Sequence, residues 1–253
     1  MTIHRFASEE ILQIWESGLT QHPLDRALTL LLLIFPTQTR QALATLSIGQ
    51  RDGHLLTLYE QAFGAWIVGQ ARCPTCQHRV EFNLNTHDIR MAPTEEESGE
   101  LFTVTDTGYT VTFRLPNSLD LATIVHETDQ AKARRRLIKQ CMLEAIYNGN
   151  QIVVDSLPDV DFLPDKVLAA VATQMAVHDP QAEIELALTC PACGEGWPLL
   201  FDIVTFLWAK LDAHAHRLLR EVNLLAQAYS WRESDILALS ATRRQCYLEM
   251  VSS

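Results

Sequence analysis

The sequence predicts an α+β protein, and three observations carry that prediction. Apolar residues recur at helical spacing at both ends of the chain, and they alternate at period two in parts of its middle. Two Cys-Pro-x-Cys knuckles, Cys73-Pro74-Thr75-Cys76 and Cys190-Pro191-Ala192-Cys193, each interrupt such an alternating stretch. Of 253 residues 47% are apolar and 20% charged, which suffices for a buried core as one large domain or two small ones. The formal net charge of -11 makes the average surface repel nucleic-acid phosphates.

Residues 1–65 read as an N-terminal helical region of three or four packed helices. Ile11, Ile14, Trp15 and Leu19, then Leu24, Ala27, Leu28, Leu31 and Leu32, mark its apolar faces. The greasiest run, Leu28 to Phe35, stops at Pro36, far short of the roughly 20 residues that span a bilayer. The first residues carry Glu9 and Glu10 and lack the basic start and apolar run of a secretory signal, so a cytoplasmic location is expected.

Residues 66–115 read as the first half of a β region. Trp66 to Gln70 lead into the first knuckle, and Val80, Phe82 and Leu84 alternate with Arg79, Glu81, Asn83 and Asn85 after it. Thr94 to Glu100 contains no apolar residue and reads as a solvated loop. Phe102, Val104, Tyr109, Val111 and Phe113 flank the turn signal Asp106-Thr107-Gly108, which predicts another hairpin and a sheet of four to six strands. Residues 116–182 read as a helical insert. Asn117 opens one helix, a basic helix with Arg134, Arg135, Arg136 and Lys139 runs from Asp129 to Tyr147 and closes at Asn148-Gly149-Asn150, and another spans Asp165 to His178.

Residues 183–202 supply the second half of the β region, with Ile184, Leu186 and Leu188 entering the second knuckle and Trp197 to Phe201 leaving it. Residues 203–253 read as a C-terminal helical region. One long amphipathic helix carries Val204, Leu207, Trp208, Leu211, Leu218 and Leu225 on a single stripe. Ser230 and Glu233, at capping-box spacing, start a short helix through Leu239, and Ser240 caps the last one.

The cysteine spacing predicts a metal. Zinc favours four tetrahedral sulfur or imidazole ligands, and two C-x-x-C turns each present two sulfurs from one tight loop. Cys73, Cys76, Cys190 and Cys193 are the expected ligands of one structural Zn2+, which makes the β region zinc-ribbon-like. Four thiolates leave no open position, so the expected ion is structural rather than catalytic. A thioredoxin-like redox pair calls for a helix start in a βαβ unit, whereas strands flank both pairs here. Cys141 and Cys246 fall within helical apolar patterns and read as small buried hydrophobes, and His78, His214 and His216 as surface residues. No phosphate loop, nucleophile elbow or H-E-x-x-H motif occurs, so no enzyme is expected.

A resemblance adds to these readings. Arg217-Leu218-Leu219-Arg220-Glu221 through Ala226, Tyr229-Ser230-Trp231-Arg232-Glu233-Ser234-Asp235-Ile236-Leu237-Ala238-Leu239 and Arg243-Arg244-Gln245-Cys246-Tyr247-Leu248 resemble the T4-type baseplate hub assembly chaperone family of contractile-tail phages and related contractile injection systems. Phe113 to Leu121, and Cys190 to Glu195 running into Phe201-Asp202-Ile203 and Phe206-Leu207-Trp208, are similar too; Ile48-Gly49-Gln50-Arg51-Asp52 matches loosely. The resemblance implies a non-enzymatic assembly factor or chaperone that binds a baseplate or hub protein, in the bacterial cytoplasm or on the particle. Members of the simplest type need not keep the cysteines, so zinc rests on spacing alone. Partner contact is expected in the C-terminal tail, at Trp231, Ile236, Leu237, Arg243, Arg244 and Tyr247. The rival expectation is a zinc-ribbon nucleic-acid adaptor using Arg72, Arg79, Arg114 and Arg134 to Arg136.

Overall fold

All but the first of the N-terminal helices begin where a side chain accepts one of the leading free amides. In the computed structural model, which describes residues 7–91, 100–152, 160 and 162–251, they are α1 Ser8–Gly18, α2 Pro23–Ile34, α3 Arg40–Ala44 and α4 Ile48–Phe63. Thr39 Oγ1 accepts the Ala42 N–H, and Ser47 and Gln50 exchange a reciprocal pair of hydrogen bonds at the start of α4. Their apolar faces meet in one core with strand and helix residues from much later in the chain. Ala27, Leu31, Leu55, Leu56 and Tyr59 pack there with Ile67, Ile184, Phe201, Val204, Leu207 and Leu211.

The protein mixes helices with antiparallel sheet, and the strands fall into three sheets. β1 Trp66–Arg72 pairs with β2 Arg79–Asn85, and β7 Ile184–Thr189 pairs with β8 Gly196–Phe201, each as an antiparallel hairpin. Between them in sequence, β3 Phe102–Asp106, β4 Tyr109–Phe113, β5 Met142–Tyr147 and β6 Asn150–Ile152 form a four-stranded meander. The hairpin at Asp106 therefore does not extend the sheet of the first knuckle. It joins a separate core of Val111, Phe113, Ile138, Cys141, Ala145, Val167 and Val171, closed by α7 Gln130–Cys141 and α8 Asp165–His178. The acidic stretch Thr94 to Glu100 lies almost wholly outside the described residues.

Two expectations need correction. The basic helix ends at Cys141, not Tyr147, because Met142 to Tyr147 pairs with β4, burying Met142 and Ala145. Asn148 and Gly149, at φ 47° and 82°, are then the two central residues of a β5–β6 hairpin turn, the role that Asn-Gly fills through its ease with positive φ, and not a helix cap. Ser230 likewise does not open the short helix α10 Glu233–Leu237. It sits at φ 55° as the left-handed C-cap of α9 Ile203–Tyr229, with its N–H on Ala226 C=O. Ser240 does cap α11 Ala241–Val251, accepting the Arg243 N–H.

The two cores are bolted together beside α4. Asp179, buried at the end of α8, accepts the Gly49 N–H at 2.9 Å, and a Cβ on Gly49 would lie 1.9 Å from the Asp179 carboxylate. Only glycine permits that approach. Gln181, in the turn that follows, holds Met91 N–H and Ile89 C=O with its side chain. Among the described residues no helix is long and apolar enough to cross a membrane.

Candidate metal centre

Each knuckle closes by the same backbone logic. Cys73 donates its N–H to His78 C=O at 2.9 Å and accepts the Gln77 N–H at 3.0 Å; Cys190 donates to Glu195 at 2.8 Å and accepts from Gly194 at 2.9 Å. The residue after the second cysteine has positive φ in both turns, 61° at Gln77 and 77° at Gly194. This coil points both sulfurs of a pair to the same side, and the packing of the two hairpins on the α4 and α9 core brings the pairs face to face.

All four sulfurs lie within 4.8 Å of one another. Cys73 Sγ is 3.6 Å from Cys193 Sγ, and Cys76 Sγ is 3.6 Å from Cys190 Sγ. Those separations are far beyond the roughly 2.05 Å of a disulfide. They match the roughly 3.8 Å edge of a sulfur tetrahedron around an ion with 2.3 Å bonds. Cys73 and Cys190 are buried beside Val80 and Trp197, while Cys76 and Cys193 face solvent.

Crowding sets the protonation of the cluster. Burial opposes ionisation of Cys190, but the backbone N–H groups of Cys193 and Ala192 and the thiols of Cys76 and Cys193 bring it down to about 7. At Cys193 the Glu195 N–H favours the thiolate, yet Cys76, burial, Cys73 and Cys190 together push the thiol up to about 12. Cys76 is raised as well: the His78 N–H favours its thiolate, and burial with Cys190 and Cys73 outweighs that. One thiolate thus suppresses its neighbours, and a divalent cation is the group that lets all four ionise together. The cluster contains the four cysteines and not His78.

The remaining sequence-marked residues lie elsewhere. Cys141 is buried in the second core, 3.8 Å from the Asp120 carboxylate, and burial followed by that charge pushes its thiol up to about 12. Cys246, expected to be buried, is exposed on α11. Arg135 pairs with Asp165, and Arg114 forks onto Asp120 at 2.6 and 2.8 Å. In the tail, Trp231 stacks on Tyr229 and meets Tyr247 edge-on, with centroids 4.8 and 4.9 Å apart, and Arg243 is exposed. Ile236 is fully buried and Leu237 half-buried. Arg244 is enclosed by Glu221 at 3.0 Å, Ser8 Oγ at 3.0 Å and Leu239 C=O at 2.8 Å. Ile236 and Arg244 therefore help to hold the tail onto α1 and α9.

A second polar cluster escaped sequence reading. Arg51 is buried, pairs with Asp52 at 2.7 Å, and its Nη1 has no hydrogen-bond partner among the described residues. Burial, with help from Asp202 and Asp179, raises Asp52 to about 6 despite Arg51. The Arg51-Asp52 pair in α4 was visible in sequence, but its neighbours come from more than 120 residues away.

Fold and cluster define a helix-and-sheet scaffold whose early and late hairpins are joined by four convergent thiols. The chain belongs to the family described as T4 bacteriophage base plate protein, whose sequence model matches residues 24–208. That match runs from α2 into α9 and takes in both knuckles and the Gly49–Asp179 contact, while the segment from Arg217 to Leu248 lies beyond it. Neither a curated protein nor a solved structure matches the chain.

Proposed function

We propose that this chain is a non-enzymatic assembly factor for the baseplate or hub of a contractile tail or injection particle, stabilised by one structural zinc ion. The observation that carries the reading is family membership over residues 24–208. The four-thiol cluster supports the rest. Zinc on four sulfurs has no vacant position for a water or a substrate, so it staples the two hairpins and performs no Lewis-acid chemistry. The ion closes a loop of more than 110 residues, and its binding free energy is available to folding. A net charge of -11 suits protein contact better than contact with nucleic acid.

The test is co-expression with the baseplate and hub subunits of the same particle. The expected result is a complex with one of them that survives size-exclusion chromatography, and defective baseplates in particles made without the chain. Normal particles and no complex would overturn the reading. Binding of labelled DNA that weakens steeply with salt would move the assignment to a nucleic-acid adaptor.

A further inference from the structure

The register of the first hairpin decides which of its backbone groups are occupied. Thr86 donates its N–H to Ala65 C=O, and Cys73 to His78 C=O, both at 2.9 Å. Odd-numbered residues of β1 therefore form the hydrogen-bonded pairs with β2. The alternation of an antiparallel ladder turns the N–H and C=O of Trp66, Val68, Gln70 and Arg72 to the other edge. Trp66 C=O accepts the Tyr59 hydroxyl there, at 3.2 Å. Among the described residues no hydrogen bond engages the backbone of Val68, Gln70 or Arg72, and the sheet has no third strand.

The side chains of the same residues make the outward face. Trp66 is 62% exposed and Val68 54%, two neighbouring apolar side chains on the face opposite the fully buried Ile67. Arg72 and Arg79 stand directly opposite each other, both exposed, a like-charge pairing that weakens a hairpin unless something neutralises it. Arg79 bonds the Gln70 side chain, which donates to Glu81 at 3.1 Å, while Arg72 has no acidic partner among the described residues.

The second hairpin lacks this vulnerability. The Cys190 N–H to Glu195 C=O bond places Pro198 among the edge-facing positions of β8, where it offers no donor, and Glu185 charges the edge of β7.

We infer that the free edge of β1 takes up an extended acidic segment of another protein as an added strand. Its outward side chains would be apolar beside Trp66 and Val68 and acidic beside Arg72, with Arg79 one strand further on adding to the positive field. Charge selects the occupant: β1 itself carries no acidic residue, so pairing of two copies through this same edge offers the arginines no counter-charge. Only the partner's place in a baseplate rests on the proposed function; the open edge does not.

The test titrates the full metal-loaded chain into two fluorescein-labelled decapeptides with threonine at every second position, the positions between them being valine in one half and glutamate in the other for the acidic peptide and valine and lysine for its control, followed by anisotropy. Saturable binding of the acidic peptide alone is expected, with slowed amide exchange at Val68, Gln70 and Arg72. Gln70→Pro, which removes an edge donor but no ladder bond, and Arg72→Glu should each weaken it by about tenfold or more. Should Gln70→Pro lose its metal, Val68→Asp replaces it. Failure to bind, equal binding of the lysine peptide, or undiminished binding by the variants would overturn the inference. So would a dimer of the free chain that Gln70→Pro dissociates. Any of these leaves the subunit-capture test of the proposed function standing.

Discussion

The two knuckle hairpins solve one problem with different residues. Each buries its first cysteine, exposes its second, and turns through a residue of positive φ, yet the first uses Gln77 where the second uses Gly194. They also differ in how they are anchored to α4. The first hangs on a paired network, with Thr86 and Arg90 both on the Glu60 carboxylate, the latter at 3.0 Å. The second is bracketed by Asp179 before β7 and Asp202 after β8, both adding negative potential around buried Asp52. The sulfur geometry is thus a shared requirement, and the supports around it are free to differ.

If the pairs are equal halves of one centre, Cys73→Ser and Cys190→Ser should do equal damage. Each should abolish stoichiometric zinc and cost several kcal/mol of unfolding free energy. Cys141→Ser should keep its zinc. Metal analysis of protein purified under reducing conditions, paired with urea unfolding, checks this; zinc retained by Cys190→Ser would break the equivalence.

The anchors should separate under acid. The folded-state value of Asp52, about 6, lies above its unfolded value, so its protonation favours the fold, and stability from this group rises as pH falls. Glu60 is held low: burial works against its charge, but Thr86 and Arg90 prevail. Its contribution is present above the unfolded value and lost only at more acid pH. Between pH 7 and 5 the second anchor alone should move. Asp52→Asn should remove a gain of about 1 kcal/mol across that window, while Glu60→Gln should leave the slope unchanged. Urea midpoints at the two pH values supply the comparison.

The smallest effect is at the turns. Gln77→Gly relieves a left-handed residue and should stabilise by about 0.5 kcal/mol, net of the entropy that glycine loses on folding. Gly194→Gln should lose about as much. Thermal unfolding of zinc-loaded protein gives the signs, and matching signs would show that the two turns are not equivalent.

What could be read from sequence was local. The C-x-x-C spacing, the alternation around it and the capping residue Asn117 all act within a few positions, and the structure places them as expected. Strand β5 was not legible, because Met142-Leu143-Glu144-Ala145-Ile146-Tyr147 has neither clear alternation nor a breaker after Cys141, and its conformation is set by β4. The separation of β3 and β4 from the knuckle sheet followed from the same pairing. Gly49 on Asp179, and the crowding of acids at Asp52, join residues about 130 positions apart and leave no trace in any short window. The burial of Arg244 was hidden for the same reason, since Ser8 at the opposite end of the chain helps to enclose it.

The sulfur pairs are separated by more than a hundred residues, and that distance has a consequence during synthesis. At about 5 to 20 residues per second, a ribosome delivers Cys190 and Cys193 roughly 6 to 24 s after Cys73 and Cys76 have been made. Through that interval the nascent polypeptide can offer an ion only half a cage. An ion held by all four sulfurs would therefore report on length: any product that terminates before Cys190 would lack the full cage, and metal retention would separate it from chains that reach past Cys193.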